Sequence, residues 1–156
     1  MIRAGRPEDA EAIAAIWNQV IRETTQTFNT LEKDATALAD QIGAQPWFVA
    51  DEGVGVLGFV TWTQFRSGTG YAHTVEHSVH VATSGRGRGV GRALMAAAED
   101  RARATGLHSM IAGVAGENAG GVAFHAALGY REVARLPEVG WKFGRWHDLV
   151  LMQKML

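Results

Sequence analysis

Residues 85–92 read GRGRGVGR and are followed at once by a strong helix-forming run, ALMAAAEDRARA. Four of these eight residues are glycine and three are arginine. A helix N-terminus presents unpaired backbone N–H groups and a partial positive charge, and glycine lets the backbone approach a ligand closely. The stretch therefore predicts a site for an anion, most naturally a pyrophosphate. The alternative is a solvated turn that only joins a strand to a helix.

Length and composition limit the class of protein. A chain of 156 residues is long enough to bury a core and is expected to form one domain over residues 1–156. The net charge of -1 gives no general attraction for nucleic acid or for an anionic membrane. The absence of cysteine excludes disulfides, thiolate metal sites and cysteine nucleophiles. No apolar run reaches the ~18 residues of a membrane span and the N-terminus lacks an apolar signal core, so a cytoplasmic enzyme or binding domain is expected.

Hydrophobic spacing predicts alternating strands and helices. The predicted strands are 2–5, 47–51, 54–65, 71–82, 109–115, 130–136 and 148–155. The predicted helices begin near Pro7, after a cap at Thr30, at Gly89 and at Val122. Strands on both sides of crossover helices predict an α/β fold with a mixed central sheet flanked by helices.

The glycine motif can be compared with known phosphate loops. The Walker pattern is absent, and the dinucleotide fingerprint fails because position 92 is arginine where a third glycine is required. Residues 86–91 instead fit the pattern Arg/Gln-x-x-Gly-x-Gly/Ala. This resembles the acetyl-CoA loop of the GNAT acetyltransferase superfamily, and the order of elements is similar over nearly the whole chain. The resemblance implies acetyl-CoA as co-substrate, no metal, and a pyrophosphate held by Gly87, Arg88, Gly89, Val90, Gly91 and Arg92.

Three further segments narrow the resemblance. GYAHTVEHSVHV, ENAGGVAFHAALGY and PEVGWKFGRWHDLVLMQ are similar to the phosphinothricin and methionine sulfoximine N-acetyltransferase group. That group implies acetylation of the α-amine of a small amino acid analogue by a homodimer. The chain departs from the group at Ala72, where arginine is typical, and at His80, where tyrosine is typical. Two alternatives stay open: a GNAT enzyme that acetylates a protein N-terminus or another metabolite amine, and a non-catalytic acetyl-CoA sensor.

The segment TVEHSV carries the candidate base. Strand alternation places Glu76, Ser78 and His80 on one face and His77 on the other. A protonated amine must lose a proton before it attacks a thioester, so a carboxylate just before the glycine loop suits Glu76 to general base catalysis. The alternative for Glu76 is an exposed residue or a structural ion pair. His77 is expected to line the substrate pocket, the alternative being a packed core histidine.

The resemblance assigns further residues around the acetyl-CoA arm. It implies that the backbone of Val79, His80 and Val81 pairs with pantetheine where this strand separates from its neighbour. Asn118 is expected to contact the same arm, the alternative being a helix N-cap. His125 stands where many GNAT enzymes carry the tyrosine that protonates the thiolate, so it is the candidate general acid, the alternative being a surface histidine.

The acceptor side is predicted from one arginine. The resemblance to this group implies that Arg66 contacts the substrate. A guanidinium group can bind a carboxylate or phosphinate in a bidentate manner. A solvated loop arginine is the alternative. The expected substrate-binding set is Arg66, Ser67, Gly68, Glu76, His77 and Ser78. A further hypothesis is that Phe28, Trp62 and Tyr71 form an apolar wall around the side chain of the acceptor. The alternative is that these aromatic residues belong to the hydrophobic core.

Overall fold

The structure is a computed structural model that describes residues 1–156. It contains one seven-stranded sheet with the strand order β1-β2-β3-β4-β5-β7-β6. The strands are β1 Ile2–Ala4, β2 Trp47–Asp51, β3 Val56–Gln64, β4 Thr74–Val81, β5 Ser109–Ala115, β6 Arg131–Lys142 and β7 Arg145–Met155. The helices are α1 Ala10–Glu23, α2 Ala35–Ala44, α3 Val90–Ala104 and α4 Ala119–Ala127. The predicted α/β class with a mixed sheet is confirmed. No helix is both long enough and apolar enough to cross a membrane.

Two layers of helix cover the sheet. The buried faces of α1 and α2 pack with Trp47, Val49 and Phe59 on one side. The buried face of α3 packs on the other side in a second cluster that includes Val60 and Met110. Each layer removes a continuous apolar face from water, which is the main favourable contribution to folding.

The start of α2 differs from the sequence prediction. Thr30 does not cap this helix; the Asp34 carboxylate caps it by accepting the Ala37 N–H at 3.0 Å. Leu38 and Ile42 are the buried residues of this helix. Residues 24–34 therefore form a longer connection than expected, and this connection borders the candidate site.

The parallel pair β4–β5 is incomplete. It pairs only Thr74–His77 with Ser109–Ala112. Beyond this point Ser78–Val81 stays paired with β3, while Gly113–Ala115 stays paired with β7. The two strands diverge, so the facing backbone edges of Ser78–Val81 and Gly113–Ala115 are not paired with each other. The sheet contains a wedge-shaped slot that opens toward the N-terminus of α3.

The C-terminal hairpin is longer than its predicted strands. Its two-residue turn places Phe143 at φ 53° and Gly144 at φ 71°, both positive as a type I′ turn requires. The pairing register shifts between Leu136 and Gly140. Pro137 lies in that irregular stretch, and a proline cannot donate to a strand ladder. Because this irregular stretch breaks the alternation of buried and exposed residues, the sequence pattern predicts a strand that ends at residue 136. The observed strand continues to Lys142.

Candidate functional site

A cavity of about 660 Å³ lies over the slot between β4 and β5. Three parts of the chain form its walls: β4 with the start of α3, the α1–α2 connection with Trp17, and β5 with α4. Its lining includes Trp17, Gln26, Thr27, Phe28, Asn29, Glu76, His77, Ser78, Val79, His80, Val81, Arg86, Gly91, Asn118 and His125. Glu76 is the only carboxylate and Arg86 the only lysine or arginine in this lining. The cavity therefore joins the glycine loop, the free strand edges and one acidic side chain.

The glycine loop ends in a row of free backbone donors. The first hydrogen bond onto α3 joins the Ala93 N–H to the Gly89 carbonyl at 3.0 Å, and the N–H groups of residues 87–92 have no partner in the protein. Gly87 and Gly89 have φ values of 72° and 76°, and a Cβ on either would meet no atom within 4 Å. The donors and the positive end of α3 are thus accessible to an anion, as a pyrophosphate cradle requires.

The arginines of this loop have different surroundings. Arg86 lines the cavity. Arg88 forms an ion pair with Glu52, so part of its charge is already compensated within the chain. Sequence reasoning placed Arg88 among the ligand-binding residues and omitted Arg86, although Arg86 opens the motif that identified the loop. Among the predicted loop residues only Gly91 lines the cavity; the others lie beside it.

The two faces of β4 point into different environments, as strand alternation predicts. His80 packs against Trp17 and Phe59, with ring centroids 5.8 and 5.5 Å apart. His77 packs on the opposite side against His125 and Tyr130, at 5.1 and 5.7 Å. Burial lowers the pKa of His80 to about 4, so this histidine is neutral near pH 7.

Glu76 is half-buried at the mouth of the slot and has neither a hydrogen-bond nor an ion-pair partner in the protein. Burial raises the pKa of this carboxyl, because desolvation disfavours the charged form. The structural ion pair, one alternative considered for this residue, is absent. An unpaired, desolvated carboxylate that faces a cavity is a candidate acid–base group.

Gly113 on β5 provides the space that Glu76 occupies. A Cβ built on Gly113 would lie 2.7 Å from Glu76 Oε2 and 3.5 Å from Leu149 Cδ1. The carboxylate therefore lies directly over the glycine backbone. We infer that the glycine keeps Glu76 aimed along the slot.

Replacing Gly113 with alanine is expected to displace the Glu76 carboxylate and to lower turnover by about 10-fold, since general base catalysis depends on position. Steady-state kinetics with acetyl-CoA and an accepted amine measures this effect. Gly43→Ala is the control, because a Cβ at that glycine meets no atom within 4 Å and Gly43 lies outside the cavity. Unchanged turnover in the Gly113 variant would show that the carboxylate position does not matter.

His77 and His125 form a buried pair. Their Nε2 atoms are 3.0 Å apart, and His125 Nδ1 lies 2.8 Å from the Gly121 carbonyl oxygen. Because a carbonyl only accepts, Nδ1 of His125 carries a proton; when both rings are neutral, His77 Nε2 donates to His125 Nε2. Burial lowers the pKa of both rings. His77 Nδ1 is buried and has no hydrogen-bond partner in the protein.

These contacts bear on the predicted roles of His125 and Asn118. Both ring nitrogens of His125 have protein partners, so its Nε2 reaches a ligand only after leaving His77; its role as general acid stays a prediction. Asn118 caps α4, its Oδ1 accepting the Gly121 N–H at 2.9 Å, and it also lines the cavity. The helix-cap alternative for Asn118 is therefore present, while its contact with a ligand stays a prediction.

Arg66, Ser67 and Gly68 lie outside the cavity. All three are exposed, and the Gln64 side-chain amide donates to the carbonyls of Arg66 and Gly68 at 2.7 and 2.8 Å. The Arg66 guanidinium lies 5.7 Å from the Tyr71 ring centroid. This loop directly follows the β3 segment in which Thr63 pairs with Glu76, so its contact with an acceptor stays a prediction.

The proposed aromatic wall is wrong for two of its three members. Trp62 is a core residue and Tyr71 is exposed, so only Phe28 faces the cavity. Sequence reasoning missed its neighbours Gln26, Thr27 and Asn29, which form a polar wall opposite β4. The available signal was the segment RETTQTFNT, a polar break between two amphipathic helices that is longer than a simple turn needs.

The chain is similar to known proteins over nearly its full length. The model of the acetyltransferase (GNAT) domain family matches residues 2–151. An L-methionine sulfoximine/L-methionine sulfone acetyltransferase of Salmonella typhimurium is 38% identical over 99% of this chain and 94% of its own length. A phosphinothricin N-acetyltransferase of Alcaligenes faecalis is 34% identical over 99% of this chain and 82% of its own. The structure of yncA, an acetyltransferase of Salmonella typhimurium solved with acetyl-CoA, has a TM-score of 0.95 and 36% identity, covering 100% of this chain and 93% of that one.

Proposed function

This chain belongs to the GNAT acetyltransferase family, and from that premise we propose that it transfers the acetyl group of acetyl-CoA to the α-amine of a small amino acid analogue. The phosphinothricin, methionine sulfoximine and methionine sulfone types are the leading acceptors, because they are the substrates named for its relatives. One observation carries the proposal: the unpaired Glu76 carboxylate faces a slot bounded by free backbone groups.

The cofactor half of the cavity fits acetyl-CoA. The N–H groups of residues 87–92 are available for the pyrophosphate, and the free edge of Ser78–Val81 is available to the amides of the pantetheine arm. Val79, His80 and Val81 contribute through their backbone, whereas Gly91 contributes close approach. Asn118 borders the arm from the opposite side of the slot.

Glu76 performs the proton transfer in this proposal. Free amines titrate near ~10, so most of the acceptor is protonated at pH 7 and must first lose a proton. Glu76 takes that proton, directly or through one water, and the free amine then attacks the acetyl carbon; as the carbon–sulfur bond breaks, the nitrogen releases its second proton to solvent. His125 protonates the departing sulfur after its Nε2, which only accepts a hydrogen bond in the resting pair, leaves His77 and gains a proton from solvent. Ser78 and His77 border the reacting atoms.

The acceptor half of the cavity is polar but carries no fixed positive charge. Gln26, Thr27 and Asn29 offer amide and hydroxyl groups, and Phe28 offers an apolar surface. Amide and hydroxyl donors are suited to the oxygens of a carboxylate, phosphinate or sulfone. This wall faces Glu76 across the slot, so a small amine with a polar head group fits between them.

Arg66→Ala distinguishes this arrangement from the one that the resemblance implies. An arginine in contact with the acceptor would be worth ~2–3 kcal/mol, or roughly 30- to 150-fold in binding. Because Arg66 lies outside the cavity, we expect its replacement to change the acceptor KM by less than about twofold. Initial-rate kinetics at saturating acetyl-CoA measures it. A 30-fold rise would instead support the contact between Arg66 and the acceptor that the resemblance implies.

A panel of amines tests the proposed function itself. Release of free thiol from acetyl-CoA is measured with methionine sulfoximine, methionine sulfone, phosphinothricin, common amino acids and short peptides. Preference for the free amino acid analogues supports the proposal. Efficient acetylation of peptide N-termini alone would favour the protein-modifying alternative, and binding of acetyl-CoA without turnover of any amine would favour the sensor.

The homodimer and the cytoplasmic location also stay proposals. Trp141, Phe143 and Trp146 are 54%, 56% and 56% exposed at the tip of the C-terminal hairpin. Large exposed aromatic side chains close together are typical of protein interfaces, which supports a dimer through this tip. Arg145, at the start of β7 in the same hairpin, is held within the chain, because both its terminal nitrogens donate to the Glu117 carboxylate, at 3.0 and 2.8 Å.

A further inference from the structure

Lys142 is a buried cation without a counter-ion. The residue is 3% exposed, and no carboxylate lies within 4.0 Å of its ammonium group. Its Nζ donates instead to the backbone carbonyls of Thr24 and Thr27, at 2.7 and 2.9 Å. Burial lowers the pKa of Lys142, as expected for a charge removed from water. Burying an unpaired charge is costly, so these two bonds must support a well-defined local structure.

The two carbonyls belong to the connection that forms the acceptor wall. Thr27 lines the cavity together with Gln26, Phe28 and Asn29. Lys142 lies outside the cavity and reaches the wall from behind, across more than 110 residues of sequence. The ammonium therefore fastens the acceptor wall to the C-terminal hairpin.

Phe28 provides a second attachment to the same hairpin. Its ring stacks on His147, with the ring centroids 5.4 Å apart. A Cβ on Gly140 would lie only 2.4 Å from Phe28 Cδ2, so this hairpin position is open to the ring only because it is glycine. The side chain that faces the acceptor is thus seated in a notch built by β6 and β7.

We propose that Lys142 is a positioning residue for the acceptor: by binding the Thr24 and Thr27 carbonyls, it holds the wall formed by residues 26–29 at the distance from Glu76 that a small amino acid analogue requires. This inference rests on the proposed function for the identity of the acceptor. It extends that function to a residue that touches neither the cavity nor the reacting atoms.

The test uses the full chain with Lys142→Met, which keeps length and removes the charge, and Lys154→Met as matched control. Lys154, on β7, also has a bonded ammonium group, but its partner is the Glu99 carboxylate on α3 and not the acceptor wall. For Lys142→Met we expect the KM for methionine sulfoximine to rise about 10-fold, kcat at saturating amine to change less than threefold, and the acetyl-CoA Kd to change less than twofold. Lys154→Met should leave both KM and Kd within twofold.

Hydrogen exchange provides a readout that does not depend on turnover. The amides of residues 24–29 should exchange faster in Lys142→Met than in the wild type, while those of β2 stay unchanged. If the wild type acetylates no amine, the proposed function fails, and this exchange measurement still decides whether Lys142 fastens the wall. Unchanged exchange in residues 24–29, or an unchanged acceptor KM in an active enzyme, would overturn the inference.

Gly140→Ala keeps the inference testable if Lys142→Met does not fold. Its new Cβ must displace the Phe28 ring without removing any charge. We expect the same pattern, a raised acceptor KM with an unchanged acetyl-CoA Kd. An acceptor KM equal to that of the wild type would show that the hairpin does not set the position of the wall.

Discussion

Glu76→Gln is expected to lower turnover near pH 7 by about 10²-fold or more, the usual scale for loss of a general base. Glutamine keeps the shape of the side chain but cannot take a proton from the amine. The residue is half-buried and unpaired, so the substitution breaks no hydrogen bond or ion pair in the protein. Acetyl-CoA affinity should hardly change. Steady-state kinetics together with calorimetric titration of acetyl-CoA separates the two effects.

The pH dependence gives this prediction a second, independent check. A base works only as carboxylate, so wild-type activity should fall as the pH drops through the pKa of Glu76, which burial raises above its ordinary value. A glutamine amide does not titrate in this range, so the Glu76→Gln variant should lack this limb. Its deficit should shrink at high pH, where more of the amine is already free. Glu132→Gln, at an exposed carboxylate on β6, is the control, and wild-type turnover in Glu76→Gln at pH 7 would remove Glu76 from the mechanism.

Gly89→Val is expected to weaken acetyl-CoA binding by about 10- to 100-fold, the effect of losing one or two hydrogen bonds to a charged group. The β-branched side chain would stand where the pyrophosphate must approach the backbone N–H groups. It would also strain a position whose φ is 76°. Calorimetric titration of the folded variant measures the affinity.

Gly106→Val separates the loss of a binding surface from backbone strain. Gly106 follows the other end of α3, has a φ of 82°, and like Gly89 has no atom within 4 Å of an added Cβ. Both variants should therefore lose similar stability in thermal unfolding, while only Gly89→Val should lose affinity. Equal affinities in the two variants would make the glycine loop a connector rather than a phosphate cradle.

Much of the cofactor half could be predicted from the sequence because its signals are local. The glycine loop, α3 and β5 lie consecutively, and turn chemistry and hydrophobic spacing identify each of them. The alternation along β4 also holds, with His80 against Trp17 and His77 against His125. These features depend on backbone period and helix ends, which neighbouring residues determine.

The acceptor half depends on contacts between distant parts of the chain, which local patterns do not report. Lys142 bonds Thr24 from 118 residues away, and the notch for Phe28 is made by a glycine in an irregular strand. Arg66, which the resemblance alone assigned to the acceptor, is exposed outside the cavity lining, and its contact with the acceptor stays a prediction. Nothing in the local sequence indicates which distant residues come into contact.

The slot between β4 and β5 also divides the sheet into two blocks, β1–β4 and β5–β7, whose only ladder connection is the four residue pairs from Thr74–Ser109 to His77–Ala112. A boundary with few shared hydrogen bonds is where sub-global opening is favoured, so the two blocks are candidates for separate cooperative units. A ligand that bonds to both edges of the slot adds cross-links at that boundary. Its binding free energy then stabilises the closed arrangement by mass action. Acetyl-CoA would act in this protein as a structural tie that joins two halves of one domain, as well as the donor of the group transferred.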